Sequence, residues 1–283
     1  MAAAAGIVLA GGRSSRMGTP KATLEWHGST LLRRVTGIVA RATGGPVVVV
    51  RAPGQDLPAL PKGVEVTEDA EEGRGPLQGL AAGLAAVDGR ADVAFVSSTD
   101  APLLHPAFVR RVVGALDGEH DVALPQAGGF PHPLAAAYRT TLLRAVQELL
   151  AADRRRPAFL FEACRVRRLN EAMLLADPAV AAFDPALDSV LNLNEPADYR
   201  AARARPAPEV AVRCYGAVRR GSGAGRAPVV VRAATLSGAA AGVGLALDEH
   251  VVAALNGDQI TSDADEPLAA GDTVAFLAAD AGG

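Results

Sequence analysis

The chain has 283 residues, 49% of them hydrophobic and 21% charged, which is enough apolar material for a core and excludes global disorder. Its length leads us to expect about two domains, and a net charge of −3 argues against a life on a nucleic-acid backbone. No apolar run approaches the ~20 residues that a bilayer span needs.

The opening MAAAAGIVLAGG lacks the basic start of an export signal, and Cys164 and Cys214 form no metal-spaced pair, so a cytoplasmic protein is expected. Residues 3–9 read as a short buried strand that ends in a glycine-rich loop. Ser29 and Thr30 precede the helical spacing of LLRRVTGIVARAT, which Gly44 and Gly45 stop. Val47–Val50 are four β-branched residues in a row, as in a parallel strand covered on both faces. VEVT at 64–67 is a third strand, and GPLQGLAAGLAAVDG carries Leu77, Leu80, Leu84 and Val87 on one helical stripe. A strand at 93–98, a helix over PAFVRRVVGAL and a strand at 121–125 continue the alternation. Strands and helices alternating at these lengths predict right-handed βαβ units, hence an α/β domain with a doubly wound, mostly parallel sheet over residues 1–200.

The pattern changes beyond residue 200. Residues 201–208 alternate Ala, Arg and Pro and read as a linker. EVAVRCYG and PVVVRAA then read as strands on either side of a GSGAG loop, and Thr235 can cap a weak helix. Asn256-Gly257 between two strand-like arms is a strong hairpin signal, and TVAFLAA is a last strand before Gly282-Gly283. This predicts a small α+β domain of ββαββ type over 209–283.

The chemistry concentrates at Leu9-Ala10-Gly11-Gly12-Arg13-Ser14-Ser15-Arg16-Met17-Gly18-Thr19-Pro20-Lys21. A loop leaving the carboxyl end of the first parallel strand sits where open α/β sheets bind ligands. Gly11 and Gly12 permit close approach of backbone N–H groups to a phosphate, while Arg13, Arg16 and Lys21 supply countercharge. The spacing matches neither a Walker loop nor a dinucleotide fingerprint. Among 28 basic residues only Lys21 and Lys62 are lysines, so a retained lysine marks a place where arginine's planar fork does not serve.

This string resembles the signature of nucleotidyltransferases, and most of all the molybdopterin guanylyltransferase family. Three later segments fit in the same order: Gly75-Pro76-Leu77-Gln78-Gly79 with Asp69 upstream, Asp100 after its strand, and Asn192-Leu193-Asn194-Glu195-Pro196-Ala197-Asp198. The resemblance implies transfer of GMP from GTP to molybdopterin with release of pyrophosphate. It implies Lys21, Arg16 and Asp100 as catalytic residues, and Asp100 as the ligand of Mg²⁺. The nucleotide would be held by Leu9, Ala10, Gly11, Gly12, Arg13, Ser14, Lys21, Asp69, Gly75, Pro76, Leu77 and Asp100, with Asn192 and Asn194 on the substrate side. Asp100 is a hard oxygen ligand of the kind Mg²⁺ takes beside substrate phosphates. Ser98-Thr99-Asp100-Ala101-Pro102 departs from the family's usual turn, and 51–61 lacks the asparagine that some members place near the base. A cytidylyltransferase, or transfer to another phosphorylated acceptor, therefore stays open.

At the other end, Leu255-Asn256-Gly257-Asp258, Leu268-Ala269-Ala270-Gly271-Asp272 and Ala281-Gly282-Gly283 resemble the small sulfur carrier of molybdopterin synthase. That likeness implies a ubiquitin-like β-grasp fold whose Gly283 carboxyl becomes a thiocarboxylate. It implies an E1-like activating enzyme and the large subunit of molybdopterin synthase as partners. The residues ahead of the Gly-Gly, Ala278-Ala279-Asp280, depart from the prolines usual there. A sulfur carrier whose first domain only docks, without catalysis, is the reading from a different class.

Overall fold

The computed structural model describes residues 4–11, 18–69, 75–221 and 227–279. The chain divides into two compact units: Met1–Leu24 with Thr30–Asp198, and Glu25–Ser29 with Tyr199–Gly283.

In the first unit the order is β1 (Ala4–Leu9), α1 (Leu31–Thr43), β2 (Gly44–Arg51), β3 (Glu65–Glu68), α2 (Pro76–Val87), β4 (Val93–Ser98), α3 (Pro106–Gly114), β5 (Val122–Ala127), β6 (Ala135–Arg139), α4 (Leu143–Ala151) and β7 (Val166–Leu169). The strands line up as β7-β5-β6-β4-β1-β2-β3. β1 runs parallel to both β2 and β4, with Ile7 opposite Val48 and Val96. Val47–Val50 are fully or nearly fully buried, as four consecutive β-branched residues on a doubly covered strand require. α1 packs against α3, and α2 packs against α4. Successive residues of β1 face opposite layers: Gly6 meets Val39 of α1, and Ile7 meets Gly83 of α2. α1 starts where the Thr30 hydroxyl accepts the Arg33 N–H and stops at Gly44, which adopts φ 67°.

Two strands escape the sequence reading, and one of them alters the sheet. β6 runs antiparallel to both β4 and β5, so the sheet is mixed rather than a simple succession of parallel βαβ units. Its sequence, AAAYR, has weak strand propensity, but burial between two neighbours overrides that preference. β7, with sequence VRRL, is a short edge strand without an alternating apolar signature.

Residues 201–203, read as linker, instead complete the helix α5 (Pro196–Arg203). In the second unit follow β8 (Glu209–Cys214), β9 (Val229–Arg232), α6 (Leu236–Gly242), β10 (Val251–Leu255), β11 (Gln259–Thr261) and β12 (Thr273–Ala278). Their order is β9-β8-β12-β10-β11, with β8 and β12 parallel and the other pairs antiparallel. Leu236 and Ala239 of α6 pack on Val210, Val212, Val274 and Phe276 to form the core. Thr235 caps α6 through the Gly238 N–H at 3.2 Å. Asn256 and Gly257 both lie in the left-handed region, at φ 53° and 89°, as the hairpin requires. The Asn256 amide donates to Asp272 at 2.8 Å and accepts from the Thr273 N–H at 2.9 Å, so the N-G-D and G-D segments form one network. Glu25 belongs to this unit, where its carboxylate binds Arg203 and its carbonyl accepts the Tyr199 hydroxyl at 2.6 Å.

Among the described residues, no helix is long and apolar enough to cross a membrane.

Candidate active site

A cavity of about 570 Å³ opens at the carboxyl ends of the parallel strands β1, β2 and β4, where the strand order reverses, β2 lying on one side of β1 and β4 on the other. Leu9, Ala10 and Gly11 form one wall, Asp69, Gly75, Pro76 and Gly79 a second, and Ser98, Thr99 and Asp100 the floor. Lys21, Val50, Leu134, Asn192 and Asn194 complete the lining. Residues as far apart in sequence as Leu9 and Asn194 thus converge on one concave surface.

Lys21 stands in a one-turn 3₁₀ segment, Lys21–Thr23, closed by the Leu24 N–H on the Lys21 carbonyl at 3.2 Å. Its ammonium meets Asp100 Oδ2 at 2.6 Å, and both side chains are largely buried, with 21% and 15% exposed. The Ser98 hydroxyl donates to the other oxygen, Asp100 Oδ1, at 2.6 Å. Both carboxylate oxygens are therefore oriented, one by a movable cation and one by a hydroxyl at the end of β4. The main chain is fixed as well, because the Leu193 N–H donates to the Asp100 carbonyl at 2.9 Å. Thr99 binds the Leu9 carbonyl through its N–H at 3.2 Å and its hydroxyl at 3.1 Å, tying β4 to β1. Thr99 of the Ser98–Pro102 turn thus joins two strand ends.

Asp198 places Asn194. Its carboxylate accepts the N–H groups of Asn194 at 3.0 Å and Glu195 at 2.9 Å, an anion at the positive start of α5.

Two sequence expectations change. Leu77 does not line the cavity; it is fully buried in the core with Leu80 and Leu84, so its place in the motif serves packing. The Gly11 N–H does not face a ligand either, since it donates to the Val50 carbonyl at 3.2 Å. What Gly11 offers is the lack of a side chain, because a Cβ there would lie 3.1 Å from the Ala52 nitrogen. Gly79 and Gly83 act similarly, letting α2 lie against Leu9 and Ile7. Gly12, Arg13, Ser14 and Arg16, and Gly283 at the far end, lie outside the described residues.

The reading of the sequence missed Ser98 and Gln55, both of which act on residues of the cavity wall. A hydroxyl two positions before Asp100 was a usable signal. Nothing local distinguishes Gln55. His132, beside the cavity residue Leu134, shares a hydrogen bond at 3.0 Å with the Ala127 carbonyl and serves its own turn.

No group of three or more His, Cys, Asp or Glu gathers for a metal among the described residues. Asp100 nevertheless fits a hard cation, since Mg²⁺ is usually held by one or two carboxylates with substrate phosphates and water.

The model of the MobA-like NTP transferase domain family matches residues 6–168. A protein of Mycobacterium tuberculosis H37Rv named "Probable molybdenum cofactor guanylyltransferase" is 40% identical over 169 residues, 58% of this chain and 82% of that protein. Its namesake in Mycobacterium ulcerans Agy99 is 40% identical over 188 residues, 64% of this chain and 92% of its own. Among solved structures, molybdopterin-guanine dinucleotide biosynthesis protein A of Archaeoglobus fulgidus shares the fold with a TM-score of 0.52 at 21% identity, over 70% of this chain and 96% of that one. The match spans Lys21, Asp69 and Asp100 but ends before Asn192.

Proposed function

This chain belongs to the family of MobA-like NTP transferase domains, and from that footing we propose that its first unit transfers GMP from GTP to molybdopterin and releases pyrophosphate. The observation that carries the reading is the ion pair of Lys21 with Asp100 in a cavity shared with Asp69, Gly75, Asn192 and Asn194. A phosphate oxygen of the acceptor attacks the α-phosphorus of GTP, and the bond to the β-phosphate oxygen breaks. Such transfers rest on positioning and charge stabilisation. Lys21 moves its ammonium from Asp100 to the triphosphate, and Arg16 is the second cation assigned to it. Asp100 is the residue that would hold Mg²⁺, which supplies charge neutralisation on the phosphates. Ser98 keeps that carboxylate oriented as its ammonium partner leaves. Asp69, Gly75 and Pro76 face the base, and Asn192 and Asn194 face the acceptor.

The second unit we assign to sulfur carriage on residues 209–283, as a β-grasp domain that an E1-like enzyme activates and that serves the large subunit of molybdopterin synthase. This reading is supported by the β9-β8-β12-β10-β11 order with α6 packed on it and by the Asn256–Asp272 network.

The test of the transferase is pyrophosphate release from GTP and Mg²⁺ with purified molybdopterin, with CTP as competitor. Asp100→Asn keeps shape but removes the charge that a hard cation needs, so turnover should fall by about a hundredfold or more with unchanged melting. Wild-type turnover of Asp100→Asn at limiting Mg²⁺ would overturn the metal role. Preference for CTP would replace the nucleotide assignment.

A further inference from the structure

Gln55 does not line the cavity, yet it uses both ends of its amide on the strand ends that do. Its Nε2 donates to the Ala10 carbonyl at 3.1 Å, and its Oε1 accepts the Ala52 N–H at 3.0 Å. On the other side of the same peptide, the Gly11 N–H donates to the Val50 carbonyl at 3.2 Å. Both polar groups of the Ala10–Gly11 peptide are therefore held by the end of β2 and the loop that follows it. That peptide belongs to the cavity's lining, so its orientation shapes the surface offered to a ligand.

Gln55 is itself held in place. Its N–H donates to the Ala52 carbonyl at 3.0 Å, closing a turn, and its carbonyl accepts from Arg51 at 3.1 Å. The Arg51 guanidinium forks onto Glu68 at 2.7 and 3.1 Å, and the Arg51 carbonyl accepts the Asp69 N–H at 2.8 Å. One set of bonds thus runs from Ala10 to Asp69, and Gln55 is the member of it that holds the Ala10 carbonyl.

Resting on the reading of this cavity as a nucleoside triphosphate site, we propose that Gln55 is a positioning residue that sets the Ala10–Gly11 stretch of the cavity lining by holding the Ala10 carbonyl. It touches no reacting atom. Its effect falls on nucleotide binding, because a carbonyl released from Gln55 lets the Ala10–Gly11 peptide, part of the cavity's lining, rotate. Gln55→Met keeps length and volume but removes the donor. Gln55→Glu goes further, since its carboxylate sets a negative oxygen against the Ala10 carbonyl while still able to accept from Ala52.

The experiment is titration of the full chain with GTP and Mg²⁺ by calorimetry, with steady-state kinetics and thermal denaturation of the same proteins. The expected order of GTP affinity is wild type, then Gln55→Met, then Gln55→Glu, with a loss of about tenfold or more in the last. The kinetic loss should fall mainly on KM for GTP rather than on kcat, and melting should move by only a few degrees. A loss of melting temperature and active fraction with unchanged KM would show a structural role and overturn the proposal, as would equal GTP affinity in all three proteins. Absence of GTP and CTP binding by the wild type would remove the nucleotide site itself, and Gln55's role with it.

Discussion

Helix α2 lies against β1 so closely that a single methyl group tests the placement. A Cβ at Gly83 would sit 2.4 Å from Ile7 Cγ2, 3.0 Å from Cδ1 and 3.2 Å from Cγ1. Carbon atoms at their optimum are roughly 3.5–4.0 Å apart, so the nearest approach is about 1 Å too short. Ile7 cannot yield easily: it is fully buried in the middle of the sheet, and β-branching makes its χ1 stiff. Replacing Gly by Ala inside a helix gains about 1 kcal/mol in propensity, whereas overpacking a core costs about 1–3 kcal/mol and more where backbone must move. For Gly83→Ala the second effect wins, with a net loss of about 1–2 kcal/mol and a fall of several degrees in melting temperature. Gly79→Ala on the same helix is the control. Its Cβ meets Leu9 Cδ2 at 3.2 Å, the far end of a flexible side chain, so gain and cost should nearly cancel. Calorimetric melting of the two variants beside wild type reads the difference directly. The shift reaches the site as well, because α2 begins at Pro76, and Gly75 and Pro76 line the cavity; KM for GTP should rise in Gly83→Ala. A Gly83→Ala protein as stable as Gly79→Ala would refute the claim that close packing requires glycine there.

Lys21→Arg should lower kcat by about tenfold or more with little change in melting, because a planar fork cannot replace a compact ammonium 2.6 Å from Asp100; full activity in single-turnover assays would refute this. Burial pushes the Asp184 carboxyl up to about 6, against hydrogen bonds from Ser189. Its folded value exceeds the unfolded 3.8, so its contribution favours folding below about pH 4 and is lost as pH rises through about 6. Asp184→Asn should therefore gain urea stability relative to wild type at pH 7 but not at pH 4, and an equal effect at both would contradict the assignment. A residue appended after Gly283 removes the reacting carboxyl, so a C-terminal tag should abolish the oxygen-to-sulfur mass change on incubation with an activating enzyme, ATP and a sulfur donor. Equal loading of tagged and untagged protein would remove the carrier role.

What was legible beforehand is whatever a short stretch of chain decides by itself. The run Val47–Val50, the Thr30 and Gly44 caps of α1 and the Asn256-Gly257 turn each depend on a few neighbouring residues, and each appears in the structure where the sequence puts it. The site was legible in the same way, as motifs whose members Lys21, Asp69, Gly75, Asp100, Asn192 and Asn194 meet at one cavity. The illegible parts depend on distant partners. β6 is a strand because β4 and β5 flank it, although Ala135–Ala137 alone carry no strand preference. The motif strings also mix two kinds of position that look alike when written out. In Gly75-Pro76-Leu77-Gln78-Gly79, Gly75, Pro76 and Gly79 line the cavity, Gly79 also making room for Leu9, whereas Leu77 points into the core. A residue can belong to a motif because it touches ligand or because it holds the backbone that does. Only burial and contact separate the two. Gln55 and Asp198 mark the other side of that distinction: Asp198 orders the cavity residue Asn194 through its backbone N–H, and Gln55 orders Ala10 through its carbonyl, so substitutions at either should alter the site without removing any group that faces the cavity.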